Sequence, residues 1–269
     1  MHTAEDRAKR AHASLIALTF ALLAIALVAH LLLVPALRAR RPDLKAAEAR
    51  GDDEAAARAQ RARALGRSSD PAAPERLAQL LSDPSPEVRA EAAIALGTRG
   101  DIRATEPLCA LLADDDAKTR VRAASALGAI GTPATPDVIR AVRDGRPDVQ
   151  EAAAQALGAI GDTTATAALI QVLSESDYVA VRVQSLGALG QIGGAASEQA
   201  AAAALADEDA GVRLAAVEAL SDIGTPDAAA ALKAALQDRD ENVRSRAAGA
   251  LRDLGERRGS GDRRWRKAE

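Results

Sequence analysis

Three histidines, one cysteine, two in-register columns of arginine and aspartate and one glycine-rich stretch are the residues that this chain offers for chemistry. The histidines, His2, His12 and His30, all precede residue 52, so no imidazole is available to a metal centre further along. Cys109 lies in the apolar run Pro107-Leu108-Cys109-Ala110-Leu111-Leu112 and reads as a small buried hydrophobe, and a single cysteine forms no intramolecular disulfide. Gly187-Ala188-Leu189-Gly190-Gln191-Ile192-Gly193-Gly194 does not have the spacing of either common phosphate-binding loop, and no strand pattern precedes it. Arg58, Arg89, Arg120, Arg182, Arg213 and Arg244 form a basic column, with Gln150 as its exception. Beside it run Asp52, Asp83, Asp114, Asp144, Asp207 and Asp238. A lone basic column would suit phosphates. A basic and an acidic column in register suit inter-repeat hydrogen-bonded pairs and helix caps, because arginine offers a planar multi-donor fork to a carboxylate. Nucleic acid is not expected as a partner: apart from Tyr178 there is no aromatic between residues 52 and 255 on which a base would stack.

The columns are set by a repeated phrase. EVRAEAAIALGTRG at 87–100, KTRVRAASALGAIG at 118–131 and DVQEAAAQALGAIG at 148–161 are followed by AVRVQSLGALGQIG at 180–193, GVRLAAVEALSDIG at 211–224 and NVRSRAAGALRDLG at 242–255. The Ala of the Ala-Leu pair recurs at 95, 126, 156, 188, 219 and 250, spacings of 31, 30, 32, 31 and 31. One step earlier, Ala64-Leu65-Gly66 marks a degenerate first copy, as expected of a terminal repeat with only one neighbour. Each unit is predicted to hold two helices, a short apolar one and then the Val-Arg helix. Thr132-Pro133 and Thr225-Pro226 match helix starts. Gly100, Gly131, Gly161, Gly193, Gly224 and Gly255 match left-handed C-terminal caps. At 100° per residue, the Val and the positions four, eight and eleven later share one face, the predicted core. The surface row left on these helices, Glu91, Arg122, Gln155, Gln184, Glu218 and Arg246, is of mixed charge and is the candidate face for a protein partner.

Asp, then Val-Arg, then Ala-Ala-x-Ala-Leu-Gly-x-Ile-Gly at about 31-residue spacing resembles the HEAT-like repeat of the phycobilisome-lyase type over roughly residues 52–255. The resemblance implies an all-α fold, a right-handed alpha-alpha superhelix of about six hairpins behind a leading half-repeat. It also implies two enzymatic alternatives. HEAT-like deoxyhypusine hydroxylases hold two irons on His-Glu pairs, and phycobilin lyases handle a tetrapyrrole in a groove. Neither carries over residue by residue: the histidines stand ahead of the repeats, and the aromatic groups expected around a pigment are missing. The expectation is therefore a non-catalytic scaffold with no cofactor and no metal site.

Composition agrees with helices packed closely through small residues. Aromatics make up 1% of the chain, Phe20, Tyr178 and Trp265 alone, and 48% is hydrophobic, so the core must come from Ala, Leu, Val and Ile. The 35 basic and 38 acidic residues leave a net charge of -3. Ahead of the repeats, residues 13–37 form a 25-residue stretch without formal charge, about 37 Å as a helix. That exceeds the roughly 30 Å of a bilayer core and predicts one transmembrane anchor between an N-terminal tail, 1–12, and a basic linker, 38–51. A cleaved signal peptide, with Val34-Pro35-Ala36 as its processing site and the repeat domain exported, is the alternative. Arg38, Arg40, Arg41, Lys45 and Arg50 outnumber Arg7, Lys9 and Arg10, which places the repeats on the cytoplasmic face of a single-pass membrane protein. The tail 256–269 carries six basic residues around Trp265 and is expected to be disordered, with anionic lipid as a candidate contact.

Overall fold

The computed structural model describes residues 51–259, and every element in it is helical. The tail 1–12, the apolar segment 13–37, nearly all of the linker 38–51 and the side chains of 256–269 lie outside the described residues. Among the described residues no helix is long and apolar enough to cross a membrane. The chain divides into two units at Ala55–Ala56, and the hairpins belong to the second.

Residues 51–67 form α1. Six hairpins follow, each a short helix and then a long one: α2 (Ala73–Leu80) with α3 (Pro86–Arg99), α4 (Thr105–Ala110) with α5 (Ala117–Ile130), and α6 (Thr135–Val142) with α7 (Pro147–Ile160). The second three are α8 (Thr166–Glu175) with α9 (Val179–Ile192), α10 (Ala195–Ala204) with α11 (Ala210–Ile223), and α12 (Pro226–Ala235) with α13 (Glu241–Gly259). Consecutive long helices pack side by side, and each short helix covers the long helix of its own hairpin.

The repeated phrase accounts for this packing residue by residue. Val88, Ala92 and Leu96 of α3, Val149, Ala153 and Leu157 of α7, and Val212, Ala216 and Leu220 of α11 are all buried. Each fully buried Leu or Val contributes about 1.5–3 kcal/mol. The Gly after Ala-Leu serves the neighbouring helix. A Cβ at Gly97 would stand 2.6 Å from Ala126 Cα, and one at Gly190 would stand 2.9 Å from Ala219 Cα. The missing side chain is therefore what lets successive long helices approach.

Several expectations about helix ends need refining. Thr132-Pro133 opens a 3-10 helix, Thr132–Ala134, and the α-helix α6 begins only at Thr135, whose own following Pro136 takes the first-turn place. Gly255 is not a C-terminal cap, since α13 runs to Gly259. Beyond Gly255 come Glu256, Arg257 and Arg258, good helix formers. Gly100, Gly161 and Gly224 do adopt the left-handed conformation, with φ of 63°, 72° and 67°. Gly131 and Gly193 also end their helices at positive φ, 82° and 73°, but with ψ of -155° and -164°, outside the left-handed helical region that was expected. Thr225 caps α12 by accepting the Ala228 N–H.

Candidate functional site

The arginine column lies on the long helices, facing the loop between the two helices of the next hairpin. Arg89 donates from Nε and Nη2 to the two carboxylate oxygens of Asp114, both at 2.7 Å, while its Nη1 donates to the Asp83 carbonyl at 2.9 Å. One guanidinium thus ties the loop before its own helix to the loop of the following repeat. Arg58 binds Asp83 at 2.7 and 3.0 Å and Arg213 binds Asp238 at 2.8 and 3.0 Å in the same way. Arg182 is looser: Nη2 donates to Asp207 at 3.2 Å, but Nε, although 3.2 Å from the other oxygen, is not aligned to donate. Each aspartate also accepts the backbone N–H two residues on, as Asp83 does from Ser85 and Asp238 from Asp240, which folds the loop into an Asx turn. The Arg58 guanidinium holds the Asp83 carboxyl below the ordinary carboxylate range, and Arg213 does the same for Asp238.

This ladder is interrupted in the middle. Arg120 donates to the carbonyls of Asp114 and Asp115 but makes no ion pair with Asp144, which is one residue nearer in sequence than the rungs require and faces Arg146 at 3.4 Å instead. At the next junction both partners are exchanged: Gln150 occupies the arginine position and Ser176 the aspartate position. Packing shifts at the first of these two junctions, between α5 and α7. Gly128 lies against Ala159 of α7 rather than Ala156, the counterpart of the alanines met by Gly97 and Gly190. Arg244, in the last repeat, donates to the Asp238 and Arg239 carbonyls.

Where the rung is missing, a cavity of about 340 Å³ opens, lined by Arg143, Gln150, Gln171, Glu175, Ser176, Asp177 and Tyr178 among others. Tyr178 is 56% exposed at its edge, and neighbouring Val179 is exposed as well. The cavity was not visible as a site in the sequence; its only signal there is the simultaneous loss of Arg at 150 and Asp at 176.

On the predicted partner face, Glu91 receives Arg63 Nη2 at 2.9 Å and Arg246 Nε approaches Glu218 at 3.3 Å. Both pairs join adjacent long helices at the surface. Arg63, from the degenerate first copy, was not among the predicted face residues. Arg122 and Glu218 are exposed, while Gln155 and Gln184 are half-buried. Cys109 is half-buried in α4, and burial pushes its thiol up to about 12, which leaves it protonated and a poor nucleophile near neutral pH. Among the described residues no group of three His, Cys, Asp or Glu side chains is placed to hold a metal ion.

Comparison with known proteins bears on the fold. A family model described as HEAT repeats matches residues 43–120, 105–182 and 166–252. No curated protein matches the chain. Among solved structures, importin beta superposes with a TM-score of 0.54 at 18% identity, covering 71% of this chain and 30% of its own. The CpcE and CpcF complex of phycocyanin lyase from Nostoc sp. PCC7120 gives 0.52 at 22% identity, covering 56% of this chain and 99% of that one. Human deoxyhypusine hydroxylase in complex with glycerol gives 0.41 at 29% identity, with 76% and 81% covered. At these identities the likeness to importin beta and to the lyase complex concerns the fold alone. With three overlapping matches spanning most of the chain and a stack of hairpins joined by in-register Asp–Arg pairs, the protein belongs to the HEAT repeat family.

Proposed function

We propose that this protein is a membrane-tethered, non-catalytic scaffold that holds a protein partner on its helical stack. The observation that carries the reading is the destination of its charged side chains. The regular columns are spent on holding one repeat to the next, while a row of mixed charge on the long helices, Glu91, Arg122, Gln155, Gln184, Glu218 and Arg246, runs along the stack and is at least partly open to solvent. Solenoids commonly use such extended rows to bind partners. One structural neighbour is itself a complex of two chains, CpcE with CpcF. The raised Cys109 thiol and the absence of histidine from residues 52–255 speak for a scaffold rather than for the lyase or hydroxylase alternative. The tether rests on the 25 uncharged residues at 13–37, and the cytoplasmic orientation on the denser basic cluster that follows them. The six basic residues of the tail 256–269 are then a candidate contact for anionic headgroups.

The test is a crosslinking pull-down from membranes, with the full-length chain as bait and a chain lacking residues 1–37 as comparison. A discrete protein recovered chiefly with the full-length bait supports the reading. Stoichiometric iron or pigment on the purified chain, with no protein recovered, replaces it with the enzyme alternative.

A further inference from the structure

We propose that the interrupted rung between α7 and the α8–α9 loop is a docking site for an arginine side chain of the partner protein, an inference that rests on the scaffold reading. Elsewhere in the stack the equivalent place is filled from within: Arg89 and Arg213 each lay a guanidinium between a loop carboxylate and the carbonyls of the preceding loop. At this junction Gln150 is too short and uncharged to do so, Ser176 supplies no carboxylate, and the space stands open as a cavity of about 340 Å³.

The groups around that space favour a cation, and a planar one. Glu175 and Asp177 line it against one cation, Arg143, and among the described residues neither carboxylate is held in an ion pair; Glu175 receives only the Gln171 amide, at 3.2 and 3.3 Å. Tyr178, the one aromatic between residues 52 and 255, stands at the rim with most of its ring accessible. An aromatic face beside two carboxylates suits a guanidinium, which stacks and forks at once, better than an ammonium, which does neither as well. The Ser176 carbonyl is already taken by Arg182 Nη1 at 3.1 Å, so the incoming group meets side-chain oxygens and the tyrosine ring. A partner's arginine would complete from outside the rung that the chain leaves unmade.

The experiment titrates full-length protein, held in mild detergent, into a dye-labelled peptide of alternating glycine and arginine, read by fluorescence anisotropy. Matched peptides carry lysine or citrulline in place of arginine. The expected result is that the arginine peptide binds about tenfold more tightly than the citrulline one and measurably more tightly than the lysine one. Tyr178→Ala and Gln150→Arg, which puts the chain's own guanidinium into the space, should each weaken binding by about tenfold, with the circular dichroism spectrum unchanged. Equal binding of the three peptides, or full binding by Gln150→Arg, overturns the proposal. Repeating the membrane pull-down with Gln150→Arg separates the two readings. A partner captured as well by this variant as by the native chain leaves the scaffold standing and removes the arginine site, whereas no partner from either bait removes both.

Discussion

Replacing Gly97 by Ala should destabilise this protein, whereas the same replacement at Gly187 should stabilise it, although both glycines lie inside long helices of the same repeat type. In an open helical position the change gains about 1 kcal/mol, from helix propensity and from a less flexible unfolded chain. Gly187 is such a position, with nothing within 4 Å of the place a Cβ would take. At Gly97 the new Cβ would meet Ala126 Cα at 2.6 Å, its Cβ at 2.8 Å and its carbonyl oxygen at 3.1 Å. Two of these atoms are backbone, so no side-chain rotation relieves the contact, and α5 must move away from α3 by close to an ångström. Overpacking of this kind costs about 1–3 kcal/mol. Set against the gain of about 1, the net loss should be about 1 kcal/mol and at most about 2, and the two variants should differ by about 2 kcal/mol, with the native chain between them. Urea unfolding followed by far-UV circular dichroism measures this directly. A chain of repeats need not unfold in one step, so the comparison is of the displacement of the whole curve at constant slope. A Gly97→Ala midpoint equal to or above the native one would refute the close-approach argument.

Further tests concern the ladder. Arg213→Ala removes a guanidinium whose side chain is 4% exposed and leaves Asp238 without its partner, so a loss of about 2–3 kcal/mol is expected, between the values for surface and fully buried pairs. Arg58→Ala, where the arginine is 36% exposed, should cost about 1 kcal/mol or less in the same urea assay. Because Asp83, Asp116 and Asp238 are all held below the ordinary carboxylate range in the folded state, their contribution is complete above about pH 4 and is lost as pH falls through the lowered folded values. Thermal melts should therefore show little change from pH 7 to 5 and a decline below 4; a decline that begins above pH 5 would contradict the assignment. At neutral pH the Cys109 thiol should react with a maleimide far more slowly in the folded chain than in urea, as mass spectrometry would show.

The fold was legible because one phrase states its physics six times. Val, Ala and Leu at four-residue intervals define the buried stripe, and the in-register Asp and Arg columns name the loop partners at four of the six junctions. The helix ends were less legible. Thr132-Pro133 and Thr135-Pro136 are equally good starts by local chemistry, and the first opens a 3-10 helix while the second opens α6. Gly255 repeats the cap position in sequence, but the helix formers after it carry α13 on to Gly259. The cavity beside Tyr178 could not be read from residue types alone. Gln150 stands out as an exception in the arginine column, but the space it leaves depends on how α7 sits against the next loop, since the helix contact at this junction, Gly158 against Ala188, is the ordinary one. Arg63 was missed because the first copy of the phrase is degenerate, although its position beside Glu91 follows the same rule that sets Glu218 beside Arg246.

In a stack where each hairpin touches only its neighbours, a load applied through the chain is borne in series, and the weakest junction takes the extension. The rungs Arg58–Asp83 and Arg89–Asp114 clamp the first hairpins, Arg182–Asp207 and Arg213–Asp238 clamp the last, and the two junctions between them carry none. Those two junctions lack the rung but share the apolar core that continues from α3 to α9, so a side chain wedged into the open rung would add a polar tie to one held by packing. A chain stretched in an optical trap would then open the α7–α9 junction at a higher force when the rung is filled.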